Sequence, residues 1–178
     1  MKESIHNLSL SSAIKNISLV LGICAAYLVL MPTAGHAEQT CAWMNAATAG
    51  GFLEGTVTST VTPTSKTTND MTCEFVRQED KVVSKLRIEV VTVANPQDTF
   101  ASDAAHCGKD PAPIKAVGNE AIVCTRKEKH HETTEHLVGR VRDRIFLLDI
   151  TSNAPHPDEA ALRDTAGKIS QQVAGILF

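Results

Sequence analysis

The sequence predicts an α+β domain: an antiparallel sheet of about six strands, with an N-terminal short helix and a C-terminal amphipathic helix packed on one face, and two disulfides. Three observations carry this expectation. Strand patterns come in runs joined by short polar turns, which favours antiparallel pairing. Near the end, apolar residues recur at Leu162, Ala166, Ile169, Val173 and Ile176, the spacing of one helix face. Four cysteines follow an apolar N-terminal run, the pattern of an exported chain with paired thiols.

Ile17 to Met31 holds no charge; Lys2 and Lys15 precede it, Pro32 breaks it, and Gly35 and Ala37 are small where a signal peptidase reads. Residues 1–37 therefore read as a secretory signal peptide with cleavage before Glu38, and residues 38–178 as a single domain in the periplasm or outside the cell. The run has 15 residues, short of the roughly 20 that span a bilayer core, so a cleaved signal is preferred to a retained anchor. Cys24 follows the bulky, branched Ile23 and sits in mid-run, the wrong context for lipidation. Removing residues 1–37, net charge +1, takes the chain from −3 to −4. Mild acidity argues against nucleic acid or an anionic membrane surface as partner. The remaining length suffices for one core, and with aromatics at only 4% that core must be mainly aliphatic.

Beyond Cys24 the cysteines are Cys41, Cys73, Cys107 and Cys124. Four allow three pairings. The sequential one, 41–73 and 107–124, closes the shorter loops, and each bridge would contribute roughly 3–4 kcal/mol by the chain-entropy model. No C-x-x-C pair is present, so a structural zinc site is disfavoured.

Asn45 is a suitable N-cap for a short helix over residues 46–54, with Gly55 in the left-handed position that ends it. Thr56 to Thr62 alternates and is β-branched, a strand pattern. Met71 to Arg77 is a second strand, Gln78 to Lys81 a turn, and Val82 to Val93 a third strand. In the third, Leu86, Ile88 and Val90 face one way and Lys85, Arg87 and Glu89 the other, as in a sheet with one wet face. Asn95-Pro96 ends it, and residues 97–106 form a short helix or turn leading to Cys107. Ile114 to Val117 reads as extended, Gly118-Asn119 as a turn, and Glu120 to Lys127 as a strand. Glu128 to Glu135 reads as a polar hairpin loop, Leu137 to Arg142 as a strand, Asp143-Arg144 as its turn, and Ile145 to Thr151 as the return. Pro157 suits the first position of the closing helix, with Asp158 and Glu159 at the positive end of its dipole.

Several short motifs recur along this order: Cys41 before a capped helix ending near Gly55, Cys73-Glu-Phe75, Val117-Gly-Asn-Glu-Ala121, Arg142-Asp-Arg144 before a strand, and an Ala-rich closing helix. The set resembles the small exported bacterial domains of unknown function related to the extracellular sensor domain of PknH-type Ser/Thr kinases. Phe75 stands where that family has Trp, Asn119 where it has Asp, and the Arg142–Arg144 hairpin lacks the turn glycine. The resemblance implies an α+β sandwich with a cleft, two disulfides and a ligand-sensing or binding role. It supplies no catalytic residues.

His130, His131 and His136 share one histidine- and glutamate-rich segment and are the candidate metal ligands. Their spacing matches neither H-E-x-x-H nor H-x-x-E-H, so a solvated loop tip is the preferred reading. No Gly-x-Ser-x-Gly motif or phosphate-binding glycine loop occurs, and disulfide-bonded sulfurs are not thiolate nucleophiles. Trp43, the single tryptophan, is read as core packing beside Cys41 rather than as a ligand platform. The expected function is a non-enzymatic, sensor-like or ligand-binding domain without cofactor, whose partner is a small ligand or an envelope protein. The alternatives are an envelope structural or protein-interaction domain and, least favoured, a metal-dependent hydrolase at the His130–His136 segment.

Overall fold

A computed structural model describes residues 40–65, 70–107, 111–127 and 132–178. The signal-peptide reading and His130 and His131 fall outside these residues. In chain order the elements are helix α1 (Ala46–Phe52), strands β1 (Thr58–Pro63), β2 (Met71–Glu79) and β3 (Val82–Thr92), helix α2 (Pro96–Ala104) with a 3-10 turn at Ala105–Cys107, strands β4 (Ala112–Pro113), β5 (Glu120–Lys127), β6 (Thr133–Val141) and β7 (Arg144–Ser152), and helix α3 (Glu159–Leu177). The strands form one antiparallel sheet in the order β1-β2-β3-β7-β6-β5-β4. The α+β fold, the antiparallel sheet, both terminal helices and both disulfides are as the sequence predicts.

The chain leaves β3 in mid-sheet, passes through α2 and resumes at the far edge. It then returns by three antiparallel connections, β4–β5, β5–β6 and β6–β7, so that β7 closes against β3. Leu86 opposes Ile150, Ile88 opposes Leu148, and Leu148 opposes Leu137 on its other side. All five side chains are fully or almost fully buried. At roughly 1.5–3 kcal/mol for each large aliphatic side chain, this stripe dominates the stability of the sheet. Ala49 of α1, Leu53 at its C-cap, and Ala166, Ile169, Val173 and Leu177 of α3 pack on the same face. Trp43 lies in this core, with Cys41 against its edge, and its indole Nε1 is buried without a hydrogen-bond partner among the described residues.

Cys41 bonds Cys73 and Cys107 bonds Cys124, with Cα atoms 5.8 and 5.5 Å apart. The pairing is the sequential one. The two bridges lie on opposite faces. Cys73 pairs with Ile88 and sits in the helix-covered core, whereas Cys124 alternates with the core residue Val123 and stays outside that cluster. Its bond to Cys107 holds the 3-10 turn after α2 to the second face, where α2 touches β6 and β7 and buried Val138 and Ile145 lie outside the main core. The middle helix thus covers part of the face that the sequence leaves bare.

Local departures from the expected elements have simple causes. Helix α1 ends at Phe52, two residues early: Glu54 rather than Gly55 takes the left-handed conformation (φ 60), and the Gly55 amide donates to the Gly50 carbonyl at 2.9 Å, a Schellman closure. A Cβ at Gly55 would lie 2.6 Å from Arg77 Nε, so a larger residue there would displace the Arg77 side chain. The seventh strand is the two-residue β4. Ile114 to Val117 is a turn and not extended, because Ala116 adopts φ 61 and the Ile114 amide reaches back to the Ala121 carbonyl. Strand β6 begins at Thr133 rather than Leu137, so the polar residues read as loop are buried and paired with β5 and β7. The β6–β7 turn is Arg142-Asp143, with Arg142 at φ 56 and its amide capped by Asn119 Oδ1 at 2.7 Å. Pro157 precedes α3 rather than opening it. Asp158 is the N-cap, accepting from the Ala161 amide at 3.0 Å. Leu177, four residues after Val173, is buried, and Ile176 is 49% exposed, so the apolar stripe ends one position later than expected.

Gly139 faces Phe146 across the β6–β7 pair, and a Cβ at Gly139 would lie 2.1 Å from the ring. Gly167 on α3 has nothing within 4 Å of that position. Gly139→Ala should destabilise by about 1–3 kcal/mol through overpacking. Gly167→Ala should stabilise by up to about 1 kcal/mol through helix propensity. Urea unfolding of the two variants beside the parent checks both signs.

Candidate functional site

The helix-covered face opens into a cleft of about 310 Å³ where α1 ends and α3 begins. Two serines explain the gap. At the end of the central pair, Ser84 opposes Ser152, one step beyond the apolar Leu86–Ile150 pair. The core face therefore turns from apolar to polar at this point, and no large side chain fills the space between the helices. Ile150, Val82 and Leu162 supply apolar surface, and Glu54, Arg77, His156 and Asp158 bring charged or titratable groups to the lining. Arg77 is ion-paired with Glu79 and crosses over Gly55. One wall is the segment between β7 and α3, held by Asn153. Its Oδ1 accepts from the Val83 amide at 2.7 Å, its Nδ2 donates to the Lys81 carbonyl at 3.3 Å, and its own amide donates to the Val83 carbonyl at 3.2 Å. Ser152 Oγ accepts from the Ala154 amide at 3.3 Å, which tightens the same corner.

A second concavity of about 210 Å³ lies on the opposite face, lined by groups including Glu74, Lys85, Arg87, Arg126, Glu132 and Asp149. Beside it is His136, placed by β6 opposite Asp149 of β7 and Cys124 of β5. His136 is therefore a strand residue, 6% exposed, and not part of a solvated loop tip. Asp149 Oδ1 lies 2.5 Å from His136 Nδ1 and 3.1 Å from Arg126 Nη2. The imidazole Nδ1–H and the guanidinium both donate to that one oxygen. The 3.1 Å approach of Arg126 to His136 Nδ1 is then a contact between two donors that share an acceptor. Burial pushes the Asp149 carboxyl up, but the His136 hydrogen bond, the charge on His136 and the guanidiniums of Arg126 and Arg87 outweigh it and hold the pKa below 3.8. Among the described residues, no group of three or more His, Cys, Asp or Glu side chains gathers as a metal site.

A third polar group joins α3 to the sheet. Glu135 is fully buried on the helix-covered side, accepts from Thr125 Oγ1, and is ion-paired with Arg163 Nε at 3.3 Å. Arg163 Nη2 also donates to Thr125 Oγ1 at 2.8 Å. A buried carboxylate needs such partners, and they fix the first turns of α3 and hence one side of the cleft.

His136 stands out in the sequence, but its partners Asp149 and Arg126 do not. Asp149 stands on the polar side of the alternating Ile145–Thr151 run, which marks it as facing away from the core. Its partner comes from a strand pairing that no local pattern reveals. The cysteines are placed as paired, and the Cys41–Cys73 bridge ties the segment before α1 to β2.

Because the Asp149 pKa is lower in the folded chain than its ordinary value, the carboxylate stabilises the fold above about pH 4. That contribution is lost as pH falls through the depressed folded value. Asp149→Asn should cost about 1–3 kcal/mol at pH 7, and the gap to the parent should narrow as pH falls below the ordinary value of 3.8. Denaturant unfolding over a pH series measures it, and a gap that widens in acid would contradict the assignment.

No family model, curated protein or solved structure matches this chain.

Proposed function

We propose that this chain is an exported, non-enzymatic, sensor-like domain that binds a small amphipathic ligand in the cleft between the sheet and helices α1 and α3. The carrying observation is the cleft itself, about 310 Å³, with an apolar floor and charged groups of both signs around it. Small-molecule sites have this character: largely preformed, concave, apolar inside, with a few polar groups to orient the ligand. Asn153 and the Glu135–Arg163 pair hold two of its walls, which limits the ordering cost of binding. A ligand with an aliphatic or aromatic body and one ionised group fits this lining. The resemblance to kinase sensor domains points the same way.

Two disulfides suit an oxidising compartment, and among the described residues no helix is long and apolar enough to cross a membrane. Ile176 and Phe178 are the exposed large hydrophobics among the described residues. The cleft is thus favoured over a broad apolar docking patch as the site of recognition.

A thermal-shift screen of small amphipathic acids and amines tests the reading. A ligand at about 100 times its Kd adds roughly 2.7 kcal/mol. Ala161→Trp, at an exposed position on the cleft lining, should fold normally and abolish the shift. A shift retained in that variant, or no shift from any compound, would overturn the proposal.

A further inference from the structure

The sheet has two edges, and they are built differently. At one end β4 is two residues long and carries Pro113 in the strand, with Pro111 just before it. A short, proline-bearing edge resists pairing with another strand. At the other end β1 spans six residues, pairs only with β2 among the described residues, and contains no charged side chain. Its single proline is the last residue, Pro63. Lysines, bulges and mid-strand prolines normally blunt such an edge, and β1 has none of these.

The sequence of this edge is a palindrome. Residues 56–62 read Thr-Val-Thr-Ser-Thr-Val-Thr in both directions, centred on Ser59. An antiparallel strand laid against its own copy about that centre meets its own pattern. We propose that β1 pairs edge to edge with β1 of a second copy of this chain, antiparallel about Ser59, to form a two-fold dimer with a continuous sheet. Val57 then lies opposite the partner's Val61, Thr58 opposite the partner's Thr60, and Ser59 opposite the partner's Ser59.

The faces agree with this register. Val61 opposes Cys73 and Ser59 opposes Phe75, so Ser59 and Val61 point to the helix-covered side; Val61 and Val57, the latter just before the strand, already pack against the core. Pairing places two valine pairs across the dyad and extends the apolar face from one copy into the next. Thr58, Thr60 and Thr62 are exposed on the other side and meet threonines, a favourable cross-strand pair. Two copies of one strand meeting in this way make an isologous contact that closes at two. The proline-bearing β4 edge offers no second strand for growth.

The test uses two variants that differ in one residue. Thr58→Lys with Thr60→Lys sets lysine against lysine twice across the dyad. Thr58→Glu with Thr60→Lys sets glutamate against lysine twice, and in both variants the lysine at position 60 lies opposite Glu74 of β2. Both alter exposed positions, and both should unfold at similar temperatures. Sedimentation velocity from about 1 μM to about 1 mM, the range for a small interface, should show a monomer–dimer equilibrium for the parent. The lysine–lysine variant should weaken it roughly tenfold or more, and the lysine–glutamate variant should retain it. A second measurement needs no substitution: hydrogen exchange at β1 amides should slow as the parent is concentrated. Monomer at every concentration, a dimer indifferent to the two lysines, loss in both variants alike, or β1 exchange independent of concentration would each overturn the proposal.

Discussion

Leu148 on β7 lies between Ile88 on β3 and Leu137 on β6, and this three-strand register sorts every neighbouring side chain to one of two faces. A slip of one residue in a strand would exchange the two sets completely. In the observed register Leu86, Ile88, Val90, Phe146 and Leu148 meet α1 and α3, and Arg87, Asp149 and His136 gather on the opposite side. The sites of the two disulfides follow from the same alternation. Cys73 enters the core beside Ile88, and Cys124, next in sequence to the core residue Val123, holds the turn after α2 to the other face.

The two faces carry different chemistry for a physical reason. The helix-covered face is apolar until the Ser84–Ser152 pair, where the core thins into a cleft. Polar groups there are satisfied locally, with Asn153 bound to the backbone at Lys81 and Val83. The opposite face is apolar only beneath α2, and beyond it carries arginines and carboxylates that compensate one another. Asp149 remains ionised despite partial burial because His136 and Arg126 share its oxygen. The proposed ligand site lies on the first face, where among the described residues apolar surface meets an orienting charged rim. The proposed self-pairing uses the β1 edge, which among the described residues pairs only with β2.

Strands with strict alternation were legible in the sequence. Val82–Val93 sets Lys85, Arg87 and Glu89 between its core positions because its second face is wet, and Ile145–Thr151 sets Phe146, Leu148 and Ile150 on its core face, with Ile145 buried on the other. The closing helix was legible from its 3.6-residue stripe. Strand β6 was not, since Thr133, Thr134, Glu135 and His136 look like a loop by composition. They are buried because β5 and β7 flank them, Arg163 partners Glu135, and Asp149 partners His136. A polar side chain can be recognised as buried only when its partner is known, and these partners lie 13 to 28 residues away.

The sequence by itself determined the α+β class, the antiparallel runs, the capping of α1 by Asn45, and the spacing of the four cysteines beyond Cys24 that makes sequential pairing the shortest closure. These depend on local conformational preference, alternation and loop length, which act over a few residues or along one chain segment. Only the tertiary structure decided which face each disulfide occupies, that α2 covers the second face, where the cleft opens, and that His136 meets Asp149 and Arg126. Those outcomes depend on strand order. Strand order is set by which apolar faces can be buried together, a property of the assembled sheet rather than of any one segment.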